Sequence, residues 1–520
     1  MRVLPIVVIA ALFGACAITL LAQTREENWK HCGSHDPDLS IAGCTALIQT
    51  GQEADAKLAK AFYNRGNAYL RKGEYDRAIH DDDEAIRLNP SYSLAFNSRG
   101  IAYKDKGEYD LAIQDYDEAI RLNPSYAPAF NNRGIAYDHK REYDLAIQDY
   151  NEAIQLNPSF TSALNNRGTS YDEKGDYDRA IQDYDEAIRL NPSYVEAFYN
   201  RGIAYTGKSE YNRAIHDYDQ VIRLNPSLAI AFRFRARAYL GKDDFNHAIH
   251  DCDEAIRLNP NDAGAFSLRG NAYLDKGEYD RAIEDYGQAI RLNPILAESF
   301  NNRGIAFDDK GEYDLAIEDF DQAIQLNPSY ALAFSNRGKA YEDKGEYDRA
   351  IQDYDQAIKL NPRDQYALRA RSTAHFVMGE FAAAEPDFAE VLKANPSDAY
   401  SALWLYLAQA RAGNDGRNVL EQNSKQINLT AWPGQAIELY LGTAAPAAVL
   451  SAARAPDLNQ SQHCEAYFFL AEKALLEGDR PAARSLLQNA LDTGAIREMH
   501  YAAAQTELKR LRTAGTNSHP

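Results

Sequence analysis

The sequence is short of basic residues: its 520 residues include 56 lysines and arginines against 76 aspartates and glutamates, a formal charge of -20 at pH 7. This excess of negative charge disfavours sequence-independent binding to nucleic acid, which is itself a polyanion. Mean hydropathy is -0.53, which is too low for a multi-span membrane protein. The 45% of hydrophobic residues excludes wholesale disorder. The composition indicates a soluble, folded protein with no nucleic-acid partner.

Motifs of common catalysts are also missing. There is no Gly-x-Ser-x-Gly elbow and no His-Glu-x-x-His helix, and we predict no nucleotide-binding loop. The paired carboxylates recur in every repeat, which is too regular for the single general acid and general base of a catalytic site. His247 and His250 lie near two aspartates, but sister segments carry other residues there, so we interpret both as surface histidines. We expect no enzyme activity, no catalytic residue, no metal and no cofactor, with a metal-dependent activity at these histidines as the alternative.

The amino terminus differs from the rest of the chain, because residues 3–22 carry no charge. Such a run predicts a secretory signal over residues 1–22. Cleavage after Ala22, cleavage after Ala17, retention as an anchor and lipidation of Cys16 are the alternatives. We therefore expect export to the periplasm or cell envelope, including association with the outer membrane. Membrane attachment would occur only through an uncleaved or lipidated amino terminus.

Removing the signal leaves an even number of cysteines, namely Cys32, Cys44, Cys252 and Cys464. An exported protein can form disulfides. Cys32 and Cys44 are close in sequence, and we predict a disulfide between them. A metal site formed with His31 and His35 is the alternative, but its spacing matches no common zinc pattern. The other two cysteines are expected to pack in the core as thiols.

An Asn-Pro pair recurs every 34 residues along most of the chain. The ten pairs begin at positions 89, 123, 157, 191, 225, 259, 293, 327, 361 and 395. Within one unit, residues recur at helical spacing, as in Phe96, Arg99, Gly100 and Tyr103. Gly107 interrupts this pattern, and a second helical face follows until Pro124 ends it. Each unit therefore predicts two helices, and neither helix can bury its apolar face without the neighbouring units.

A 34-residue helical pair ending in proline resembles the tetratricopeptide repeat (TPR). The resemblance covers Leu58–Ser397, and Gly66, Ala78 and Ala85 stand where that family places small residues. It implies an all-α fold, a right-handed α-solenoid of helix-turn-helix repeats. It also implies a concave surface lined by the first helix of each pair, where a protein or peptide ligand would lie.

The repeat divides the chain into four predicted segments. These are a signal peptide at 1–22, an amino-terminal cap with the disulfide at 23–57, ten repeats at 58–397, and a degenerate TPR-like domain with a capping helix at 398–520.

Each repeat carries an arginine and, sixteen residues later, an aspartate. The arginines are Arg65, Arg99, Arg133, Arg167, Arg201, Arg235, Arg269, Arg303, Arg337 and Arg371. The aspartates are Asp81, Asp115, Asp149, Asp183, Asp217, Asp251, Asp285, Asp319, Asp353 and Asp387. A basic stripe for phosphates is one interpretation. We favour a ladder of structural ion pairs, because every arginine has a matching aspartate.

The position before this arginine holds the candidate peptide-binding asparagines, namely Asn64, Asn132, Asn166, Asn200, Asn302 and Asn336. A carboxamide offers the acceptor and donors that an extended peptide backbone needs, and similar ladders hold peptides in some TPR proteins. The alternative is that these side chains tie neighbouring helices together.

Two further features belong to the same predicted surface. Arg233 and Arg237, also candidate peptide-binding residues, lie four residues apart beside Phe234. We favour coincidental variation, with a site for a carboxyl-terminal carboxylate as the alternative. Acids also recur near the end of the first helix, at Asp105, Asp138, Asp172, Glu173, Asp308, Asp309, Glu342 and Asp343. Collected on one wall they favour a basic or unfolded polar segment as ligand.

The carboxyl-terminal part is similar to the NlpI family of bacterial envelope lipoproteins. The similarity rests on WLYLA at 404–408, on Trp432 before IELYLG at 437–442, and on YFFLAEKALLEGD at 467–479. It implies an adaptor that docks a periplasmic protease and presents cell-wall hydrolases to it. We expect an exported scaffold for protein–protein interactions in the bacterial cell envelope, with a secretion or outer-membrane assembly scaffold as the alternative. The oligomeric state is left open.

Overall fold

A computed structural model describes residues 24–453, 460–495 and 499–516. The predicted signal at 1–22, with its cleavage and lipidation sites, lies outside these residues. All regular structure in the described part is helical, which confirms the all-α prediction. The described helices fall into two compact units that divide between Leu258 and Asn259.

The first unit contains α1 (24–32), α2 (Pro37–Thr50), α3 (Asp55–Arg71), α4 (Tyr75–Leu88), α5 (Ser93–Asp105), α6 (Tyr109–Leu122), α7 (Ala127–His139), α8 (Tyr143–Leu156), α9 (Thr161–Glu173), α10 (Tyr177–Leu190), α11 (Val195–Gly207), α12 (Tyr211–Leu224), α13 (Ala229–Leu240) and α14 (Phe245–Leu258).

The second unit contains α15 (Ala263–Asp275), α16 (Tyr279–Leu292), α17 (Ala297–Lys310), α18 (Tyr313–Leu326), α19 (Ala331–Asp343), α20 (Tyr347–Leu360), α21 (Gln365–Met378), α22 (Phe381–Ala394), α23 (Ala399–Arg411), α24 (Arg417–Ser424), α25 (Gly434–Leu441), α26 (Pro446–Ala452), α27 (Gln460–Leu476), α28 (Arg480–Asp492) and α29 (Met499–Thr516). In the ten repeats, first helices have odd numbers from α3 to α21, and second helices have even numbers from α4 to α22.

Each repeat breaks its helices at fixed places. The turn between the two helices needs a left-handed residue, and Gly107 takes it at a φ of 82°. Three repeats put a side chain there instead, at Arg141, Ser209 and Asp243. The second helix ends at Leu122, two residues before Pro124, which cannot continue a helix. In the turn that follows, Asn123 accepts a hydrogen bond from the Ser125 hydroxyl at 2.9 Å.

The two helices of a repeat cross where a glycine meets an aromatic ring. A Cβ added to Gly100 would lie only 2.6 Å from the Tyr116 ring, and that ring is completely buried. The same glycine–ring pair recurs in most repeats. Repeat six breaks it on both helices at once, because Ala236 replaces the glycine and Cys252 replaces the aromatic residue. The two substitutions compensate, since an alanine Cβ leaves no room for a ring.

The arginine ladder joins the two helices of each repeat and, at most junctions within a unit, joins a repeat to the preceding one. Arg99 donates from Nε and Nη2 to Asp115 at 2.8 and 2.6 Å, and from Nη1 to Asp83 of the preceding repeat at 2.5 Å. All ten arginines bond the aspartate sixteen residues later in this way, which confirms the ion-pair prediction. The Arg99 side chain is only 20% exposed and that of Asp115 only 7%. The bidentate geometry satisfies both buried charges.

The end of the chain packs into one core with the last repeat, at Phe376 and Phe388. Trp404 of α23, Phe468 and Phe469 of α27 and His500 of α29 are all buried together. A buried ion cluster holds the last helix, because the Arg411 guanidinium donates to Glu472 at 2.7 Å and to Glu507 at 3.2 Å. Burial raises the pKa of Glu472 to about 7. Among the described helices, none is both long and apolar enough to cross a membrane.

The compensation in repeat six can be measured by a double-mutant cycle. Cys252→Tyr alone should destabilise the protein by about 1–3 kcal/mol, because the new ring collides with the Ala236 side chain. Ala236→Gly alone should cost about 1 kcal/mol, since glycine weakens a helix. The double variant restores the pair seen in neighbouring repeats, so its loss should be well below the sum. Urea unfolding gives all three values, and strictly additive losses would refute the compensation.

The buried histidine predicts a pH dependence. Neither ring nitrogen of His500 has a hydrogen-bond partner, and burial lowers the pKa of His500 from its ordinary 6.5 to about 3. The Glu465 carboxylate lies 4.0 Å away, and its other oxygen accepts from Trp432 and Tyr400. The unfolded chain binds a proton below pH 6.5 and the folded chain does not, so stability should fall as pH falls from 6.5 toward 3.

Between pH 6.5 and pH 5 this contribution is about 2 kcal/mol. Chemical unfolding of wild type and His500→Phe at both pH values isolates it, because buried carboxyl groups such as Glu472 contribute equally to both proteins. Stability of the variant should change less on acidification. Equal changes in the two proteins would show that His500 is not held neutral by burial.

Candidate functional site

The first helices of the repeats form one continuous surface in each unit. Successive first helices contact one another, as α3 does α5 and α17 does α19, whereas no close backbone contact joins successive second helices in the described repeats. We call this surface the first-helix face. It consists of helices α3 to α13 with odd numbers in the first unit and of α15 to α21 with odd numbers in the second.

The predicted peptide-binding asparagines lie on this face, half-buried, and they bond to the neighbouring repeat. Asn132 Nδ2 donates to Asn97 Oδ1 at 3.0 Å. The same bond recurs at similar distances from Asn166 to Asn131, from Asn200 to Asn165 and from Asn336 to Asn301. Asn302 donates to Asn271, at a different position of the preceding repeat. Asn64 instead donates to Cys32 Sγ at 3.7 Å. The asparagines therefore tie repeats together. The Oδ1 atoms of Asn132 and Asn302 also accept from the preceding asparagines, at 3.4 and 3.0 Å, and each carboxamide still has a second N–H.

Sequence reasoning missed the asparagines that accept these bonds. Asn97, Asn131 and Asn165 also recur every 34 residues, one position before the predicted set. The Asn-Asn pairs at 131–132, 165–166 and 301–302 indicate a second set of asparagines with the same 34-residue period.

The two arginines of the predicted pair, Arg233 and Arg237, lie in different environments. Arg237 is exposed and lines a pocket of about 440 Å³ together with Phe234, Asp172 and Glu173. Arg233 is half-buried, and its guanidinium carbon lies 5.6 Å from the centre of the Phe234 ring. Phe234 in turn packs against Tyr199, with ring centres 5.2 Å apart. The four-residue spacing thus places one arginine at an open pocket and the other against an aromatic side chain.

The acids of this face differ in how far they are satisfied. Asp138 accepts hydrogen bonds at 2.6 Å from both the Tyr150 hydroxyl and the Ser170 hydroxyl. Asp308 accepts from the Lys339 ammonium at 3.1 Å. Glu342 accepts from the Tyr354 hydroxyl at 2.8 Å, and burial raises its pKa to about 7.

Asp172 is less satisfied than these acids. Its Oδ1 is buried and has no hydrogen-bond partner; Asp308 Oδ1 is also buried without one, but the other oxygen of Asp308 accepts from Lys339. Burial, with a smaller contribution from the charge of Glu173, raises the pKa of Asp172 to about 6.

A larger pocket lies on the same face of the second unit. It has a volume of about 630 Å³, and its lining includes Lys339, Glu342, Tyr366 and Arg369 from the repeats and Tyr501 from α29. The last helix therefore forms one wall of this pocket. Lys339 and Arg369 are both paired with acids, at Asp343 and Asp398.

A disulfide joins Cys32 to Cys44 and so ties α1 to α2. His31 and His35 take no part in a metal cluster, because no group of three or more histidines, cysteines, aspartates or glutamates in the described residues is placed to hold an ion. His247 pairs with Asp244 at 2.8 Å, and His250 is exposed.

Residues 202–209 match the sequence motif of a phosphate-binding loop, Gly-x-x-x-x-Gly-Lys-Ser. Such a loop must connect a strand to the start of a helix. Here the motif runs through the end of α11 into the turn that follows. Lys208 is already paired with Asp178 at 2.6 Å and with Glu210 at 3.1 Å. The motif therefore forms part of a repeat and offers no phosphate cradle.

Solved structures resemble parts of the chain. A tetratricopeptide repeat protein from Parabacteroides merdae is 21% identical, covering 48% of this chain and 98% of its own, with a TM-score of 0.40. MamA is 30% identical, covering 32% of this chain and 96% of its own, with a TM-score of 0.29. YrrB, a TPR protein with an unusual peptide-binding site, is 24% identical, covering 35% and 95%, with a TM-score of 0.30. No curated protein matches the chain.

Models of repeat families match the chain along most of its repeats. Those described as TPR repeat match residues 100–138, 170–209, 270–309 and 306–345. Those described as tetratricopeptide repeat match 59–92, 127–160, 195–228 and 331–364, 149–182 and 252–284, 369–423 and 234–262. Together they cover more than half of the chain. The chain therefore belongs to the tetratricopeptide repeat family, whose repeats form scaffolds for protein–protein interaction.

Proposed function

We propose that this protein is an exported adaptor of the bacterial cell envelope that binds extended segments of partner proteins along its first-helix face. The observation that carries the proposal is the recurrence of half-buried carboxamides on that face, at Asn132, Asn166 and Asn200 and again at Asn302 and Asn336. An extended backbone presents donors and acceptors at regular intervals, and regular carboxamides can match them.

Affinity in such a site is a sum of small contributions. Each carboxamide already gives one N–H to its neighbour, as Asn166 does to Asn131, so it is held in place before a ligand arrives. A side chain that is already ordered loses less entropy on binding. Several weak contacts along one segment then act together, because the first contact raises the effective concentration for the next.

Export is supported by two features of the amino-terminal region. The uncharged run at residues 3–22 has the character of a secretory signal. The disulfide between Cys32 and Cys44 is of a kind that persists in an oxidising compartment.

Within the envelope, the resemblance of residues 404–479 to the NlpI family favours an adaptor that presents clients to a periplasmic protease or to cell-wall hydrolases. A scaffold for secretion or outer-membrane assembly is the second candidate. The same first-helix face would serve it, so the identity of the bound proteins decides between the two.

The binding surface can be tested by site-specific photocrosslinking in intact cells. A photoreactive phenylalanine replaces Asp105 at the exposed end of α5, or Gln114 on the exposed side of α6 in the same repeat. Partners should crosslink to position 105 and not to position 114. Mass spectrometry of the captured proteins identifies them, with protease and hydrolases expected for the first candidate and secretion or assembly components for the second. Partners that crosslink only at position 114 would contradict the proposed face.

Export can be tested through the thiols. In cells lysed directly into acid, Cys32 and Cys44 of the full-length chain should resist alkylation, because the disulfide forms after export. A matched variant that lacks residues 3–22 should stay in the reducing cytoplasm and be alkylated at both cysteines. Peptide mass spectrometry reads both states. Alkylation of Cys32 and Cys44 in the full-length chain would count against export.

A further inference from the structure

One pocket on the first-helix face has a chemical character that its neighbours lack. It is the pocket of about 440 Å³ that α9, α11 and α13 form in the first unit. Its lining includes the carboxylates of Asp172 and Glu173, the apolar side chain of Ile203, the Phe234 ring and the Arg237 guanidinium.

Comparison with the preceding repeat shows why Asp172 is unsatisfied. Asp138 occupies the equivalent place and has two donors, the Tyr150 hydroxyl and the Ser170 hydroxyl. In the next repeat Ala204 stands where Ser170 would be, so that donor is gone.

The second donor is diverted by a further substitution. The Tyr184 hydroxyl corresponds to that of Tyr150, but it points to Thr169 Oγ1 at 3.4 Å. Thr169 replaces the isoleucine of the preceding repeat, Ile135. Asp172 Oδ1 is therefore left buried without a donor. A buried acceptor without a partner is unfavourable, and a ligand cation that bonds the Asp172 carboxylate from the pocket offsets this cost.

The other side of the pocket offers an unpaired cation. Arg237 replaces the isoleucine found in the preceding repeat at Ile203. It is exposed, and within the described residues it makes no ion pair. The pocket thus holds two carboxylates and one guanidinium, so a cationic ligand group is favoured over an anionic one.

We propose that this pocket binds a lysine or arginine side chain of the extended partner segment, and this inference rests on the proposed function. The ligand's cation donates to the Asp172 carboxylate, which lines the pocket, and lies near Glu173. Its aliphatic stem covers Ile203 and Phe234, as long basic side chains commonly do on apolar surfaces. Arg237 donates to a backbone carbonyl of the same segment.

The experiment begins with peptides selected on the full-length protein from a phage-displayed library of random dodecamers. The best binders are synthesised with a fluorophore, and their affinities are measured by fluorescence anisotropy. Each is also made with its basic residue replaced by norleucine, which keeps the aliphatic stem and removes the charge. The proteins are wild type, Asp172→Asn and the matched control Asp138→Asn, whose carboxylate is already satisfied.

We expect the selected peptides to share a lysine or arginine at a fixed position. Asp172→Asn should weaken their binding about tenfold or more, the value of one hydrogen bond to a charged group. The norleucine peptides should bind wild type and Asp172→Asn alike. Asp138→Asn should lower the melting temperature and weaken peptide binding far less than Asp172→Asn does.

The outcomes separate this inference from the proposed function. Peptides that bind through the first-helix face without a basic residue, or equally well to wild type and Asp172→Asn, would overturn the inference alone. Acidic peptides that need Arg237 would also overturn it. If no peptide binds the folded wild-type protein, both the inference and the proposed peptide-binding face fail.

Discussion

The structure depends on an arginine that is shared between two repeats. Each guanidinium forms a fork with a carboxylate of its own repeat, as Arg133 does with Asp149, and gives its remaining nitrogen to the preceding repeat, at Asp117. A buried charge must be paired, and losing one partner costs about 3–5 kcal/mol. The same three groups are therefore required at every junction that keeps this arrangement. Two junctions relax the requirement. Asn151 replaces the outer acid beside Arg167 and accepts at 2.6 Å, and Gly287 stands where the outer acid would be beside Arg303, which keeps its bond to Asp319.

The residues that hold the helices together are confined to the contacts between the two helices of a repeat and between neighbouring repeats. The ladder and the crossing of glycine with an aromatic ring fix the packing between helices, as at Gly134 and Tyr150. The first-helix face is then free to vary. At one position on it, successive repeats carry Ile135, Thr169, Ile203 and Arg237. Variation is tolerated there because these side chains are not needed to close the core, so differences in chemistry between repeats accumulate on the surface that can meet a ligand.

The sequence predicted the repeats, the helical pairs and the ion pairs because all three follow from a strict period. It did not decide the role of the asparagines, since the partner of Asn132 lies 35 residues away at Asn97, and the letters alone did not show which neighbour the amide meets. The unsatisfied state of Asp172 was out of reach for the same reason. It results from substitutions at Ala204 and Thr169, in two different repeats, that matter only once the helices are packed.

A scaffold of nearly identical repeats has a difficulty that one odd pocket can solve. If every repeat offered the same carboxamide contacts, an extended ligand could shift by one repeat and bind equally well. Specificity needs a difference in free energy between the correct and the shifted positions. The surroundings of Asp172 and Arg237 supply such a difference. One repeat earlier, the equivalent acid Asp138 already accepts two hydrogen bonds, and Ile203 occupies the position of Arg237. A ligand with one basic residue would then have a single preferred register, while the repeated contacts on either side supply most of its affinity.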